Sequence, residues 1–261
     1  MSGSKLKIDI RRNKILELLR EDGRVTVTDL SGRLCTTAVT IRNDLTALER
    51  DGYLIRTKGG AVLVPHQDDS SNPLASMRVD RSDEKVAIAN AVANMIRDGD
   101  TLFINSGTTC EQIASALRAR KNLNIVTNAL KVALELGTVP SFRVLLVGGE
   151  INAQYGFTHG GDAQDQLSRY RADWSILAVD GVSASGGVTT HHAEEALIDR
   201  IMSQGASRTL VVADGSKIGR PGFSRVMECG PSLTLVTDGT ADREALEAIR
   251  EQNMEIVYAT L

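Results

Sequence analysis

The 261-residue chain is 42% hydrophobic and 24% charged, apolar enough to fold around more than one core and too apolar to stay disordered. No apolar run reaches the roughly 18 to 20 residues of a membrane helix, and the start MSGSKLKIDIRRNK has no apolar signal-peptide core, so a cytoplasmic location and no membrane partner are expected. The net charge of −3 averages two unlike parts: residues 1–64 hold twelve Lys/Arg against eight Asp/Glu (+4), and the remainder eighteen against twenty-five (−7). A basic end on an acidic body suits docking of that end on phosphate. Cys35, Cys110 and Cys229 are odd in number and outside any CxxC or Cys/His cluster, so they read as reduced thiols, with neither a disulfide framework nor a zinc site.

In chain order, Ile15, Leu18 and Leu19 recur at helical spacing within 10–20, and Gly23 closes that first helix. Thr28 precedes a short capped helix in which Leu30 and Leu34 lie four apart. A third helix spans about 38–50, with Ile41, Leu45 and Leu48 as its buried stripe and Asp51-Gly52 as its stop. Two β-prone runs, Tyr53–Arg56 and Ala61–Val64, flank Thr57-Lys58-Gly59-Gly60 and predict a hairpin. Three helices and a hairpin within about sixty residues make a winged helix-turn-helix over 1–64. Residues 65–82, polar and without a period, read as a linker.

Over 83–261, apolar runs alternate with amphipathic stretches. Thr101–Asn105, Leu123–Thr127, Arg143–Val147, Trp174–Asp180, Arg208–Ala213, Leu233–Thr237 and Glu255–Tyr258 read as strands. The helices fall near 83–97, 109–119, 128–136, 192–205 and 242–251. Strands apolar on both faces and separated by helices predict an α/β domain with a mostly parallel, doubly covered sheet.

On the third helix, the face opposite Ile41, Leu45 and Leu48 presents Val39, Arg42, Asn43 and Thr46, with Thr40 and Ala47 at its edge. Arg and Asn are suited to bidentate contacts with guanine and adenine edges, and Thr to phosphate or a thymine methyl. Arg56 and Lys58 of the wing are placed to reach phosphates or a minor groove, and Arg11 and Arg12 are further phosphate candidates. Gly59-Gly60 gives room for close backbone approach, and Asp44, nearer the core, is placed to orient Arg42 or Arg33.

In the second domain, a strand ends in Ser106-Gly107-Thr108-Thr109 at a helix start, where unpaired N–H groups, the helix dipole and hydroxyls make a phosphate site. Asn128, Asp180, Asp214 and Lys217 fall at later strand ends, where ligands bind in open α/β sheets. There Lys217 supplies a counter-charge to phosphate, and Asn128, Asp180 and Asp214 pair with sugar hydroxyls. Glu195 reads as a pocket or helix-start residue, Thr190 as the cap of that helix, His159–Asp162 as a loop near the site and Trp174 as core. His191, His192, Glu194 and Glu195 do not make a metal set, because adjacent helical histidines diverge by about 100°. No cofactor and no catalytic residue are expected.

The string TTAVTIRNDLTALERDGYLIRTKGGAV resembles the helix-turn-helix of the DeoR family of bacterial sugar-metabolism regulators, which carries a similar TIRxDLxxLExxG…R…GGA signature. The stretches SGTT, VTN, GG, ADWSILAVDGV, GGVTTHHAEEA and ADGSK extend the likeness over nearly the whole chain. The resemblance supports Thr37, Thr40, Arg42 and Asn43 as DNA-reading residues. It implies a sensor similar in fold to ribose-phosphate isomerases, a phosphorylated sugar or polyol as effector, operator DNA as partner and repression as output. Two departures are Gly215, where relatives often carry Ser, and His192, where they frequently carry Asn. Helix-turn-helix proteins usually bind palindromic sites as dimers, so a homo-oligomer, dimer or tetramer, is expected. The alternative reading is an isomerase-like sugar-phosphate enzyme, against which stands the helix-turn-helix that no isomerase needs.

Overall fold

The computed structural model describes residues 11–63 except 13, 17, 20, 21 and 51–53, and 83–260 except 154. The stop at 51–52, the strand ends at 53 and 64 and the linker at 65–82 lie outside the described residues. The chain divides into two compact units, Met1–Ser76 and Met77–Leu261.

In the first unit, α1 comprises the described residues of 11–19, followed by β1 (Arg24–Thr26), α2 (Val27–Arg33), α3 (Ala38–Arg50), β2 (Leu54–Thr57) and β3 (Gly60–Leu63). The apolar stripes converge as their spacing requires: Ile15, Leu19, Leu30, Ile41 and Leu45 are wholly buried in one cluster with Val25, Val27, Leu48, Leu54 and Ala61. The sheet is three-stranded, in the order β1-β3-β2. β1 escapes the sequence reading because three residues are too few to show a period. It also corrects the cap of α2: the capping hydroxyl belongs to Thr26, which accepts from Asp29 N at 3.1 Å, and Thr28 lies inside the helix.

The second unit is built on a seven-stranded parallel sheet ordered β15-β14-β12-β9-β4-β5-β6. Its strands are β4 (Thr101–Ile104), β5 (Asn124–Thr127), β6 (Arg143–Leu146), β9 (Ala172–Ala178), β12 (Ala206–Val212), β14 (Leu233–Asp238) and β15 (Glu255–Ala259). Alternate residues of each strand enter two separate cores. Leu102, Ile104, Ile125, Ile176, Leu210, Val212 and Val236 pack under α4 (Asp83–Met95), α5 (Thr108–Leu117) and α6 (Leu130–Gly137). Phe103, Val126, Leu177, Val211 and Leu235 pack under α7 (Gly161–Ser168), α8 (Ala193–Gly205) and α9 (Arg243–Arg250). Covering both faces is why these strands read as unbroken apolar runs.

Smaller pieces complete the unit: a hairpin of β7 (Glu150–Asn152) and β8 (Phe157–His159), and an antiparallel sheet of β10 (Gly181–Ser183), β11 (Gly187–Thr190) and β13 (Ser224–Met227). Two expectations change here. Residues 161–168 are a helix opened by Gly160 at φ 92°, so the loop expected at His159–Asp162 is the end of β8 and the start of α7. Trp174 is half-buried, its indole N–H donating to Asp100 at 3.2 Å and its ring lying 5.1 Å from the Arg208 guanidinium.

The strand order reverses at one point. From β4 the chain steps outward through β5 and β6, then returns to β9 on the other side of β4 and continues through β12, β14 and β15. The two runs part between β4 and β9, and the crevice beyond their carboxyl ends is the switch point where open α/β sheets bind ligands.

Candidate functional site

Packing of Ile41, Leu45 and Leu48 inward turns the other side of α3 to solvent: Val39 is 62% exposed, and Arg42, Asn43 and Thr46 are exposed with it. Thr37 caps the helix, accepting from Thr40 N at 3.2 Å, with its hydroxyl 2.8 Å from that of Thr40. These two threonines therefore set the helix start while standing at the edge of the reading face. Arg56 is tied down by three bonds: its Nη1 donates to Thr46 Oγ1 (2.9 Å) and Arg42 O (3.3 Å), and its Nε to Gly60 O (3.2 Å). It locks the wing to α3, while Lys58 at the turn is exposed.

Two basic residues expected at phosphate are instead held within the fold. Arg11 Nε donates to Asp44 at 2.5 Å and Arg12 Nε at 3.1 Å, with Asp44 only 2% exposed. Asp44 thus ties α1 to α3 and orients neither Arg42 nor Arg33; Arg33 pairs with Asp22 at 2.8 Å. The close approach at Gly60 is internal as well. A Cβ there would sit 2.0 Å from Val25 O across the β1–β3 pairing, so only glycine fits.

At the switch point of the second unit, Asn105 follows β4 and is wholly buried. Its amide donates to Ala178 O and Asp199 Oδ1 (both 3.0 Å), and its oxygen accepts from Ala178 N (2.8 Å) and Cys110 Sγ (3.2 Å). Every bond that side chain can make is used, which fixes its orientation and lashes the end of β4 to the end of β9. Gly107 then turns the chain at φ 122°, where a side chain would be strained, and α5 begins with no side-chain cap. Gly107 and Thr108 are exposed at the mouth, whereas Ser106 and Thr109 are buried.

Four residues from four segments meet beside this loop. Ser106 Oγ donates to Glu195 Oε1 (2.9 Å), and the Thr190 hydroxyl lies 2.5 Å from Glu195 Oε2 and 3.0 Å from Asp180 Oδ2. Asp180 also accepts from His191 N (2.9 Å) and faces Lys217 Nζ at 3.8 Å. Burial lifts the Glu195 carboxyl from the ordinary carboxylate range to about 7; the Thr190 bond opposes the shift and the charge of Asp180 adds to it. Asp199, one helical turn further on, is raised by its complete burial and then by the charge of Glu195. Hydroxyls, two carboxyls and one ammonium around a helix start are the groups that hold a small polyhydroxylated anion.

A family model described as the DeoR-like helix-turn-helix domain matches residues 11–67, and one described as the DeoR C terminal sensor domain matches residues 80–239. The chain is 30% identical over 246 residues to the glycerol-3-phosphate regulon repressor of Escherichia coli K12, covering 94% of this chain and 97% of that protein. It is 32% identical over 243 residues to the lactose phosphotransferase system repressor of Lactococcus lactis (91% and 93% covered) and 33% over 243 residues to the transcriptional repressor AccR of Agrobacterium fabrum (93% of each). The chain belongs to the DeoR family. It is a transcriptional regulator that binds DNA through its helix-turn-helix. Among solved structures, the ribose 5-phosphate isomerase of Plasmodium falciparum resembles 56% of this chain, over 53% of its own length, at a TM-score of 0.38 and 10% identity.

Within this DeoR-family regulator, Ser106, Asp180, Glu195 and Lys217 come together as one connected set. Asn128 does not join them: it is wholly buried, and its amide donates to Thr158 O at 3.0 Å, holding β8 at the end of β5. Asp214 caps the short 3-10 turn at Gly215–Lys217, accepting from Ser216 N at 3.0 Å, and so positions Lys217. At Gly215 a Cβ would stand 2.3 Å from Thr240 Oγ1, so the departure from Ser reflects packing against 240–241. His192 is the backbone cap of α8, its ring 4.8 Å from that of Tyr155, and Thr190, expected as that cap, is the hub between the two carboxyls.

Residue-by-residue reading missed Asn105, Asp199 and the hub role of Thr190. The signal for Asp199 is its place on the buried stripe of α8 with Ala196, Ile198 and Met202; a carboxyl on a core face is costly unless it has a task. Among the described residues, no group of His, Cys, Asp and Glu is arranged to hold a metal ion, and no helix is long and apolar enough to cross a membrane.

Proposed function

We propose that this regulator represses a carbohydrate-utilisation operon in the cytoplasm, occupying its operator as a homo-oligomer and responding to a phosphorylated sugar or polyol at the β4/β9 switch point. Residues 1–64 act as the DNA-binding domain, 65–82 as the linker and 83–261 as the sensor. Arg42 and Asn43 read base edges, Thr37 and Thr40 stand at the phosphate edge of α3, Lys58 contacts the backbone from the wing, and Arg56 sets the wing angle. In the sensor, the N–H groups and hydroxyls of Ser106–Thr109 take the phosphate with Lys217 as counter-charge, while Asp180 and Glu195 take sugar hydroxyls. Asn128 and Asp214 hold β8 and the Lys217 turn in place.

The observation that carries this reading is the convergence of Ser106, Thr190, Glu195, Asp180 and Lys217 at the one crevice where the strand order reverses. The relatives named for glycerol-3-phosphate and lactose phosphotransferase regulation support a phosphorylated ligand. For the ligand to act on DNA it must favour one conformation over another. No turnover is expected, since the chemistry asked of these groups is recognition.

A thermal-shift screen of the full-length protein against phosphorylated sugars and polyols tests the sensor. A ligand at a hundred times its Kd stabilises by about 2.7 kcal/mol. The best hit is then assayed for release of DNA selected from a random pool. Stabilisation with loss of DNA retention is expected. No stabilisation by any phosphorylated ligand overturns the sensor reading, and isomerisation of a pentose or hexose phosphate that vanishes in Asp180→Asn overturns the regulator-only reading.

A further inference from the structure

The Thr190 hydroxyl carries one proton and stands between two carboxylate oxygens, Glu195 Oε2 at 2.5 Å and Asp180 Oδ2 at 3.0 Å. Thr190 itself is 1% exposed, so bulk water does not supply a second proton at that oxygen. Were both carboxyls ionised, one of these contacts would set oxygen against oxygen with nothing between them. Asp180 has what an ionised group needs, a backbone N–H from His191 and the Lys217 ammonium. Among the described residues, Glu195 has, apart from the shared Thr190 hydroxyl, the hydroxyl of Ser106, and it faces Asp180 across Thr190. A chain in which Glu195 donates to Thr190, and Thr190 donates to Asp180, satisfies every atom.

Resting on the effector reading above, we infer that Glu195 is a neutral acid in the empty site and that a phosphate-bearing ligand binds this protonated form, so that binding is linked to proton uptake. The two roles share one residue. With Glu195 neutral, Ser106 is free to turn its hydroxyl from Glu195 to the phosphate. With Glu195 ionised, Ser106 is held and a like charge lies beside the incoming dianion. The electrostatics agree: burial raises this carboxyl and the charge of Asp180 adds to the rise, and the negative charge of a bound phosphate acts in the same direction.

The other titratable groups near Glu195 are Asp180, Asp199, Glu194, His191, His192 and Lys217, with the buried Cys110 thiol on α5, which burial keeps neutral. The elements packed on α8 add His159 (β8), Asp162 and Asp165 (α7), Asp173 (β9), Arg208 (β12) and Arg225 (β13). A proton taken up at pH 8 by the wild type is assigned to Glu195 by its loss in Glu195→Gln, which keeps the shape and the neutral charge and leaves every other titratable group, and the ligand, the same.

Two measurements on the full-length protein test this. In infrared difference spectra of wild type minus Glu195→Gln, a protonated-carboxyl band is expected at pH 6 and is lost by pH 9; its absence at pH 6 overturns the neutral acid. Calorimetric titration with inorganic phosphate at pH 8, in two buffers of unlike ionisation enthalpy, should give uptake of close to one proton for wild type and none for Glu195→Gln. Wild-type affinity should fall about tenfold per pH unit above its titration point while that of the variant stays level. Binding without proton uptake overturns the linkage. No binding to either protein overturns the effector reading instead, and the infrared band still decides the charge of Glu195.

Discussion

Replacing Arg56 by Lys separates two uses of one positive charge. As a phosphate anchor, Arg56 needs only its charge, and lysine keeps it. As the lock between wing and α3, it needs the fork that reaches Thr46 Oγ1, Arg42 O and Gly60 O together, and a single ammonium cannot span all three acceptors. Losing two of these bonds, at about 0.5 to 1.5 kcal/mol each and toward the lower end for a half-buried group, costs about 1 to 2 kcal/mol. In a unit of this size that lowers Tm by roughly 4 to 16 °C. Thermal unfolding of the N-terminal unit and DNA titration over a range of salt read both effects. The expected result is lower stability and weaker DNA binding with an unchanged salt slope. Wild-type stability and affinity in Arg56→Lys, with a slope reduced by about one in Arg56→Ala, would refute the lock and leave Arg56 as a phosphate contact.

Other outcomes follow from the same geometry. Arg42→Ala removes an exposed side chain from the reading face and should cost about 1 to 3 kcal/mol on specific DNA only; equal weakening on random DNA makes Arg42 a phosphate anchor. Gly60→Ala puts a Cβ 2.0 Å from Val25 O, so the wing must shift, and DNA binding should be lost while sensor ligand binding is kept, checked by gel shift and calorimetry. Asn105→Ala strands Asp199, Cys110 and both backbone groups of Ala178. It should destabilise the sensor unit by about 2 to 4 kcal/mol in urea unfolding, and a change under 1 kcal/mol would show that water replaces the amide.

The pH dependence of sensor stability follows from the raised Glu195 carboxyl, with the sign set by linkage. Its folded-state value of about 7 lies above the ordinary carboxylate value, so the folded state holds the proton more tightly. Stability from this group is full below about pH 4, declines as pH rises toward 7, and is flat beyond. Urea unfolding of Glu195→Gln should lack that decline.

How much could be read from residues alone depended on how local each feature is. The reading stripe of α3, with Ile41, Leu45 and Leu48 inward and Arg42 and Asn43 outward, follows from a 3.6-residue period within one helix. The seven parallel strands were legible because a doubly covered strand is apolar throughout, a property of each strand by itself. Strand order, and with it the switch point, is not local: that β9 returns to the far side of β4 is a matter of packing between segments some seventy residues apart. The antiparallel strands β10 and β11 were missed because each is three or four residues long and buried on both faces, leaving no alternation.

Charge roles divided in the same way. The sequence determined that the first sixty-four residues are basic, but only the folded unit decided that Arg11 and Arg12 face Asp44, more than thirty residues away, while Lys58 is left exposed. It also marked Ser106 as a helix-start residue, from the order of residues around it. That Ser106 meets Glu195, eighty-nine positions on, and that Thr190 stands between Glu195 and Asp180 instead of capping α8, were decided by tertiary structure. The physical reason is that a hydrogen bond is set by a distance near 3 Å between atoms, which periodicity fixes inside one helix or strand and only packing fixes between them.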